Sequence, residues 1–208
     1  MIVKDAVARL TPLALMVLAL LKEGDMHPYE MIRLLRERRV DRLVSITNGT
    51  MYHTVARLDR AGLLAEVGVD RDGNRPERTT YSLTDAGAEA VTEWVRRELP
   101  RIDRPEPFRV ALAEAHNLDR AEAVSLLRQR LTLLAAKHVA LGEGHRGARE
   151  KGVPAQYLLE VDRDEELTGA DVAWLERLIQ RLDDPDFAWG PEAAPSERYL
   201  SQRKAARR

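Results

Sequence analysis

The sequence contains no cysteine, which excludes disulfide bonds, thiolate metal sites and a cysteine nucleophile. It also has no excess of either charge, because 33 basic and 34 acidic side chains leave a formal net charge of −1. That balance excludes a polybasic coat that binds nucleic acid by charge alone, but it allows a local basic patch. Aromatic residues make up only 5% of the chain, so Leu, Val and Ala must fill most of the core.

The apolar run from Leu10 to Leu21 is too short to cross a bilayer, which takes about 20 apolar residues. It also lacks the basic start and the small-residue cleavage site of a signal peptide. We therefore expect a buried helix here, and a cytoplasmic protein without a membrane partner.

Helix signals recur through the first sixty residues. Thr11 before Pro12 reads as an N-cap residue followed by a first-turn proline, and His27-Pro28 begins a second helix in the same way. A third helix is predicted from about Asn48 to Ala61, with Gly62 as its C-terminal glycine.

The third helix has two different faces. Met51, Val55 and Leu58 recur at helical spacing and should point into the core. Tyr52 lies on the flank, and the opposite face is small and polar, comprising Gly49, Thr50, His53, Ala56, Arg57 and Arg60.

After the third helix, the spacing of apolar residues changes from the helical period of 3.6 to the strand period of 2. Leu64 to Val69 and Thr79 to Leu83 alternate as strands do, and Thr84-Asp85 caps a fourth helix that runs to about Leu99. Between the strands lies a turn that carries three arginines: Arg71, Arg75 and Arg78. Three helices followed by a hairpin with a basic tip predict a winged helix-turn-helix. Its short-side-chained third helix would approach base edges in the major groove.

Beyond a proline-marked boundary near residues 100–107 the chain is predicted to be wholly helical. One apolar stripe comprises Leu127, Leu131, Leu134, His138 and Leu141. A second comprises Val161, Glu165, Thr168, Val172, Leu175, Ile179 and Leu182. Two or three such helices do not easily close a core alone, which suggests that they pair between subunits.

The predicted fold is therefore mainly α. A winged helix-turn-helix domain of three to four helices and a two-stranded wing covers residues 1–99. An all-helical dimerisation domain covers residues 100–184, and residues 185–208 form a flexible tail without periodicity.

Three segments, LTPLALMVLALLKEGDMHPYEMIRLL, NGTMYHTVARLDRAGLL and RPERTTYSLTDAG, resemble the PadR family of bacterial transcription regulators. They are similar to its first helix, its recognition helix and its wing, in order, over about residues 10–95. The remainder is similar in length and pattern to the C-terminal dimerising domain of the longer PadR proteins. One departure is Pro28, where many members carry glycine, so a backbone N–H that meets phosphate is absent.

The resemblance implies a homodimer that binds a palindromic operator on double-stranded DNA, usually as a repressor. It assigns a DNA contact to the tyrosine of the turn Gly49-Thr50-Met51-Tyr52 and places Arg75 and Arg78 along the DNA backbone. The candidate DNA-binding residues are Tyr29, Asn48, Thr50, Tyr52, His53, Arg57, Arg71, Arg75 and Arg78. Without the resemblance, packing of Tyr52 against the hairpin is an equal alternative, and Thr50, His53 and Arg57 form an ordinary solvated helix face.

The resemblance also implies a small-molecule effector, often aromatic in PadR-type repressors. Such a pocket would have to draw on the scarce aromatic residues Trp94, Phe108, Tyr157 or Trp174. The favoured reading of Trp174 is instead an aromatic anchor in the helix bundle or the dimer interface.

Nothing in the sequence favours an enzyme, a metal site or a cofactor. Gly142 to Gly147 spells GxGxxG, but no strand precedes it as a dinucleotide site requires, so a helix end or kink is expected. His27, His53, His116, His138 and His145 show no paired metal-ligand spacing. The alternative to DNA binding is a winged helix used for protein–protein assembly, in which the wing arginines meet an acidic partner.

Overall fold

A computed structural model describes residues 7–70, 78–190 and 197–206. The N-terminal part contains α1 (Pro12–Leu21), α2 (Pro28–Glu37), α3 (Asn48–Arg60), β1 (Leu64–Asp70), β2 (Arg78–Leu83) and α4 (Asp85–Glu98). The C-terminal part contains α5 (Pro105–Ala113), α6 (Arg120–Glu150), α7 (Leu159–Asp183) and α8 (Glu197–Ala206). The expected mainly helical fold, a winged helix followed by a helical region, is confirmed.

The helix α1 lies at the centre of the N-terminal core. The Thr11 hydroxyl caps it by accepting the Ala14 N–H at 3.2 Å, and Pro12 occupies the first turn. Apolar side chains cover nearly every face, and most of them are buried. Each large aliphatic side chain buried in this way contributes about 1.5–3 kcal/mol. Beyond the helix, Gly24 adopts φ +133°, a conformation that favours glycine.

The helix α2 begins with a histidine cap, an uncommon residue for this position. His27 Nδ1 accepts the backbone N–H groups of Tyr29 at 3.1 Å and Glu30 at 3.4 Å. The buried face of α2 then packs against α3, as in a helix-turn-helix. The first two helices therefore begin where their cap residues predicted, and α3 begins at the predicted Asn48.

The two strands pair antiparallel from Leu64 opposite Leu83 to Asp70 opposite Arg78, with an irregularity between Glu66 and Gly68. Residues 71–77, between the strands, lie outside the described part of the chain. Ahead of α2, Met26 and Tyr81 exchange two backbone hydrogen bonds of 3.1 and 3.0 Å, which join the hairpin to the loop after α1.

Gly87 sets the position of α4 against the hairpin. A Cβ at this position would lie 2.0 Å from the Leu63 carbonyl oxygen and 2.7 Å from Leu83 Cδ1, so only glycine allows this approach. Thr84 caps α4 and also donates its hydroxyl to the Gly62 carbonyl at 2.8 Å.

The joint to the C-terminal part contains buried charges. Glu98 is fully buried and accepts hydrogen bonds from Arg97 at 2.8 Å and Arg104 at 3.0 Å. The Arg130 guanidinium lies 3.4 Å from the centre of the Phe108 ring and donates to the Arg101 carbonyl. Burial lowers the pKa of Arg130 to about 10.

The two apolar stripes of the C-terminal region meet within one chain, which corrects the expectation that they pair between subunits. The helices α6 and α7 form an antiparallel hairpin, with Arg128 bound to Asp183 at 2.7 Å and Lys137 to Asp164 at 2.9 Å. A turn with Gly152 at φ +76° reverses the chain and brings the stripes together. Periodicity alone does not indicate whether a partner stripe belongs to the same chain.

The predicted flexible tail is also partly ordered. Trp189 donates its indole N–H to the Leu118 carbonyl at 2.9 Å, and Arg120 donates to the Asp184 carbonyl at 2.9 Å. Residues Glu197–Ala206 then form α8, which packs on α2. The partners of this segment lie far away in sequence, so a search for local periodicity misses them.

The GxGxxG match from Gly142 to Gly147 lies within the continuous helix α6, and no strand precedes it. It is therefore not the helix end that was expected, and it lacks the preceding strand that a dinucleotide site requires. In residues 7–70, 78–190 and 197–206, no helix is both long and apolar enough to span a membrane.

Candidate nucleic-acid interface

The helix α3 divides its residues between core and solvent as its sequence predicts. Met51, Val55 and Leu58 are each at most 1% exposed. The opposite face and the flank are open to solvent along the whole helix, comprising Asn48, Gly49, Thr50, Tyr52, His53, Ala56, Arg57 and Arg60. An exposed helix face that starts with small residues has the shape needed to enter a major groove.

A reciprocal cap fixes the first turn of α3. The Thr47 hydroxyl accepts the Thr50 N–H at 3.1 Å, and the Thr50 hydroxyl accepts the Thr47 N–H at 3.0 Å. This is a capping box with threonine in place of the usual glutamate. The Thr50 hydroxyl therefore holds the helix start together, a role that sequence reasoning missed by treating Thr50 only as a DNA contact.

Tyr52 remains the most accessible aromatic side chain on this helix. It is 53% exposed, and no hydrogen bond or ring contact of its side chain occurs among the described residues. About half of its surface is therefore accessible to a partner. His53 lies beside it on the exposed face.

Tyr29 lies at the start of α2 and is 49% exposed. Its ring stacks on the His27 ring with centroids 6.1 Å apart, and the Arg33 guanidinium lies 5.9 Å from its centre. These two neighbours hold the ring at the surface near the N-terminus of the helix. The positive end of a helix dipole at this place favours a phosphate.

Arg57 already has a partner within the chain. Its Nη2 donates to the Thr11 hydroxyl at 3.3 Å, and that same hydroxyl caps α1. The bond joins the exposed face of α3 to the start of α1 and orients the guanidinium.

The wing arginines cannot be placed. Arg71 and Arg75 lie outside the described residues, and Arg78 is described only through its backbone, which pairs with Asp70 at the end of the hairpin.

The four aromatic residues considered for an effector pocket do not converge within one chain. Trp94 is fully buried in the N-terminal core and donates to the Leu10 carbonyl at 3.3 Å. Phe108 contacts Arg130 in the first half of α6. Tyr157 lies beyond the C-terminal end of α6 and is 71% exposed. At 1.5 Å per residue, roughly 30 Å of helix separates these two places. Trp174 is 37% exposed on α7.

A cavity of about 520 Å³ lies elsewhere, between α1, the end of α2 and the end of α5. That volume is within the range of small-molecule sites. Met16, Leu20 and Leu35 contribute apolar walls, and Lys22, Glu114 and Asn117 form a polar end. The other polar lining residues are Glu23, Arg38, Arg39, Arg42 and His116. Sequence reasoning missed it because its walls come from segments about ninety residues apart, as the Lys22–Asn117 hydrogen bond illustrates.

The polar end of this cavity is a connected network. Lys22 Nζ donates to Asn117 Oδ1 at 2.6 Å, and Asn117 Nδ2 donates to Glu114 Oε2 at 3.0 Å. Burial raises the pKa of Glu114 above its ordinary value and lowers the pKa of Lys22 below its own. Both groups are thus closer to their neutral forms than they would be in water.

In the part of the chain that the structure describes, no three His, Cys, Asp or Glu side chains lie close enough together to hold a metal ion. Two of the histidines lie between α6 and α7 and contact residues of α7. His145 Nδ1 lies 2.7 Å from Glu165 Oε2, and the His138 ring lies against Gly169.

One family model matches part of the N-terminal region. Residues 17–93 match the sequence model of the transcriptional regulator PadR-like family. The matched range includes α2, α3 and both strands, as the resemblance of the three sequence segments predicted. No curated protein matches the chain.

Several solved structures resemble the chain. Bacillus subtilis PadR in complex with operator DNA is 21% identical, covers 82% of this chain and 99% of its own, and has a TM-score of 0.40. The same protein in complex with p-coumaric acid is 22% identical over 84% of this chain and 100% of its own, with a TM-score of 0.38. The protein smu.1604c from Streptococcus mutans UA159 is 18% identical over 80% and 98%, with a TM-score of 0.38. At these values no residue role is transferred to this chain.

Proposed function

We propose that this chain, whose residues 17–93 form a PadR-like transcriptional regulator domain, is a homodimeric repressor that binds a palindromic operator on double-stranded DNA. It would act in the cytoplasm on a nearby promoter and release DNA when a small molecule binds. The domain match carries the regulatory part of this proposal, and the exposed face of α3 carries the DNA-reading part.

Gly49 lies in the first turn of α3, on its exposed face. A Cβ built there meets nothing within 4 Å, so the fold itself does not need glycine at this position. The missing side chain leaves room for a partner to approach the helix backbone closely. The edges of base pairs in a major groove are such a partner.

The proposed recognition set comprises Asn48, Tyr52, His53 and Arg57 on α3, with Tyr29 on the backbone of the operator. Arg71, Arg75 and Arg78 of the wing would contact neighbouring phosphates, which position the protein without specifying sequence.

The homodimer is proposed to form through the helical region, residues 100–184, with the winged helix at residues 1–99. Because the stripes of α6 and α7 already pair with each other, the dimer would use their outer faces. The exposed large apolar side chains on these two helices are Leu133, Val139, Leu159, Leu167 and Trp174. A two-fold pair of α3 helices about 34–36 Å apart would then match one turn of DNA.

The effector site is proposed to be the cavity beside α1 rather than a cluster of aromatic residues. Its apolar walls and its charged lining, which includes Arg38, Arg39 and Arg42, suit a small molecule with an apolar body and polar groups, aromatic compounds included. Because α1 and α2 belong to the DNA-binding domain and α5 leads to the helical region, a bound molecule would shift one against the other. The bound molecule would weaken operator binding only because it binds more tightly to the arrangement of the two regions that DNA disfavours.

A titration by fluorescence anisotropy tests the function. The duplex upstream of the coding region is compared with a scrambled duplex of the same length, at two salt concentrations. Tight binding to the first duplex alone supports the regulator. The alternative, a winged helix that assembles with an acidic protein, predicts weak and equal binding to both duplexes.

A further inference from the structure

We propose that α8 is an additional DNA-binding element, which docks on α2 and contacts the phosphate backbone beside the operator half-site. This inference rests on the proposed function. It concerns the segment after residue 196, which extends beyond the PadR-like match and for which the sequence predicted only a flexible tail.

The docking of α8 brings its C-terminal end close to a candidate DNA contact. Ala206 is only 2% exposed, and its carbonyl oxygen accepts a hydrogen bond from Arg33 Nη1 at 3.5 Å. The same Arg33 guanidinium lies 5.9 Å from the centre of the Tyr29 ring. A single side chain thus connects the end of α8 with the exposed ring at the start of α2.

The charge of this segment is opposite to that of the rest of the protein. From residue 197 onward the only acidic side chain is Glu197, whereas the basic ones are Arg198, Arg203, Lys204, Arg207 and Arg208. Because the whole chain carries −1, the remaining residues together are net negative. Arg198, Arg203 and Lys204 belong to α8, which docks next to Tyr29, and Arg207 and Arg208 follow it outside the described residues.

The packing of α8 leaves its described cation at the surface. Among the residues of α8 whose side chains are described, Lys204 is exposed and Ala206 is the buried contact. Cations near the C-terminus of a helix gain only about 0.3–1 kcal/mol from the helix dipole. A cluster of Arg and Lys on a helix is typical of segments that bind a polyanion. Duplex DNA is the polyanion that would lie beside α2.

The contact should be independent of sequence, because phosphates carry no base information. Each phosphate neutralised adds about 0.9 to the slope of log affinity against log salt. The charges of α8 would thus raise affinity for every duplex by a similar factor.

The experiment compares full-length protein with the double variant Arg203→Gln and Lys204→Gln. Affinity is measured by anisotropy against the operator duplex and a scrambled duplex over a range of salt. The control variant, Arg149→Gln with Lys151→Gln, removes the same charge from exposed positions at the far end of α6. Thermal melting checks that both variants remain folded.

We expect the α8 variant to bind both duplexes several-fold more weakly, with a salt slope smaller by about one to two units. The ratio of specific to scrambled affinity should stay unchanged, and the control should match the parent protein. Unchanged affinity and slope would overturn the proposal, as would tighter binding, which would make α8 an inhibitor. If the parent protein itself does not distinguish the two duplexes, the proposed function fails instead.

Discussion

The hydroxyl oxygens of Thr47 and Thr50 lie 2.9 Å apart at the start of α3, and each accepts the backbone N–H of the other residue. The helix proposed to enter DNA is therefore closed at its first turn by a bond pair within the protein. Gly49 has no side chain, and the Tyr52 side chain makes no hydrogen bond within the described part of the chain. This division separates residues that shape the helix from residues available to a partner.

Replacing Thr50 should change stability as well as binding. Thr50→Ala removes one half of the capping box and should lower the free energy of unfolding by about 1 kcal/mol. Thr50→Ser retains the hydroxyl and should remain close to the parent protein. Chemical denaturation of the three proteins measures the difference. Equal stability of Thr50→Ala and the parent would show that the cap contributes nothing.

Gly49→Ala should move stability and DNA affinity in opposite directions. The added methyl group meets nothing within 4 Å, and alanine favours the helix, so the free energy of unfolding should rise by about 0.5 kcal/mol. The same methyl group would stand between the helix and the base edges, so specific affinity should fall roughly tenfold. Thermal melting and anisotropy measure the two effects. A stabilised variant with full affinity would mean that this turn does not approach DNA.

Tyr52→Ala should affect specific binding alone. The ring is 53% exposed, and substitutions at such surface positions usually change stability by less than about 0.5 kcal/mol. We expect the affinity for the operator to fall roughly tenfold, while affinity for a scrambled duplex remains nearly constant. Tyr52→Phe separates the ring from its hydroxyl. Loss of melting temperature without loss of specificity would instead assign Tyr52 a structural role.

Glu114→Gln should stabilise the protein in a pH-dependent way. Burial raises the pKa of Glu114 above its ordinary value of 4.5, so the folded state binds this proton more tightly than the unfolded chain does. The resulting stability is fully present below about pH 4.5 and is lost as the pH rises through the folded pKa. Glutamine stays neutral and can still accept the hydrogen bond from Asn117.

The variant should therefore melt at a higher temperature than the parent at neutral pH, and the two should converge near pH 4. Melting curves at several pH values give the comparison, with Glu143→Gln at an exposed position of α6 as the matched control. If the parent protein were more stable than Glu114→Gln at neutral pH, the raised pKa of Glu114 would be contradicted.

The N-terminal architecture could be predicted because its signals are local. Helices are capped by residues adjacent to them, namely Thr11, His27, Thr47 and Thr84. The alternation of apolar residues with a period of two predicts the hairpin. The inward and outward faces of α3 followed from the same local spacing.

The C-terminal arrangement depends on contacts between distant residues, and sequence periodicity does not reveal those. The stripes of α6 and α7 required partners, but only the turn after α6 determines that the partner is the same chain. The contact between Trp189 and Leu118 and the network of Lys22 with Asn117 join segments that no pattern connects. Trp94 was predicted as a candidate for the effector pocket because aromatic residues are scarce, but its side chain is buried in the N-terminal core.

Recognition of bases by α3 is tested by selecting bound duplexes from random DNA, in parallel with the parent protein and Tyr52→Ala. We expect the parent to enrich a palindrome whose half-sites are about one helical turn apart, and the variant to lose enrichment at defined positions of each half-site. Enrichment of no sequence by the parent protein, or of the same palindrome with equal strength by both proteins, would contradict recognition of bases by α3.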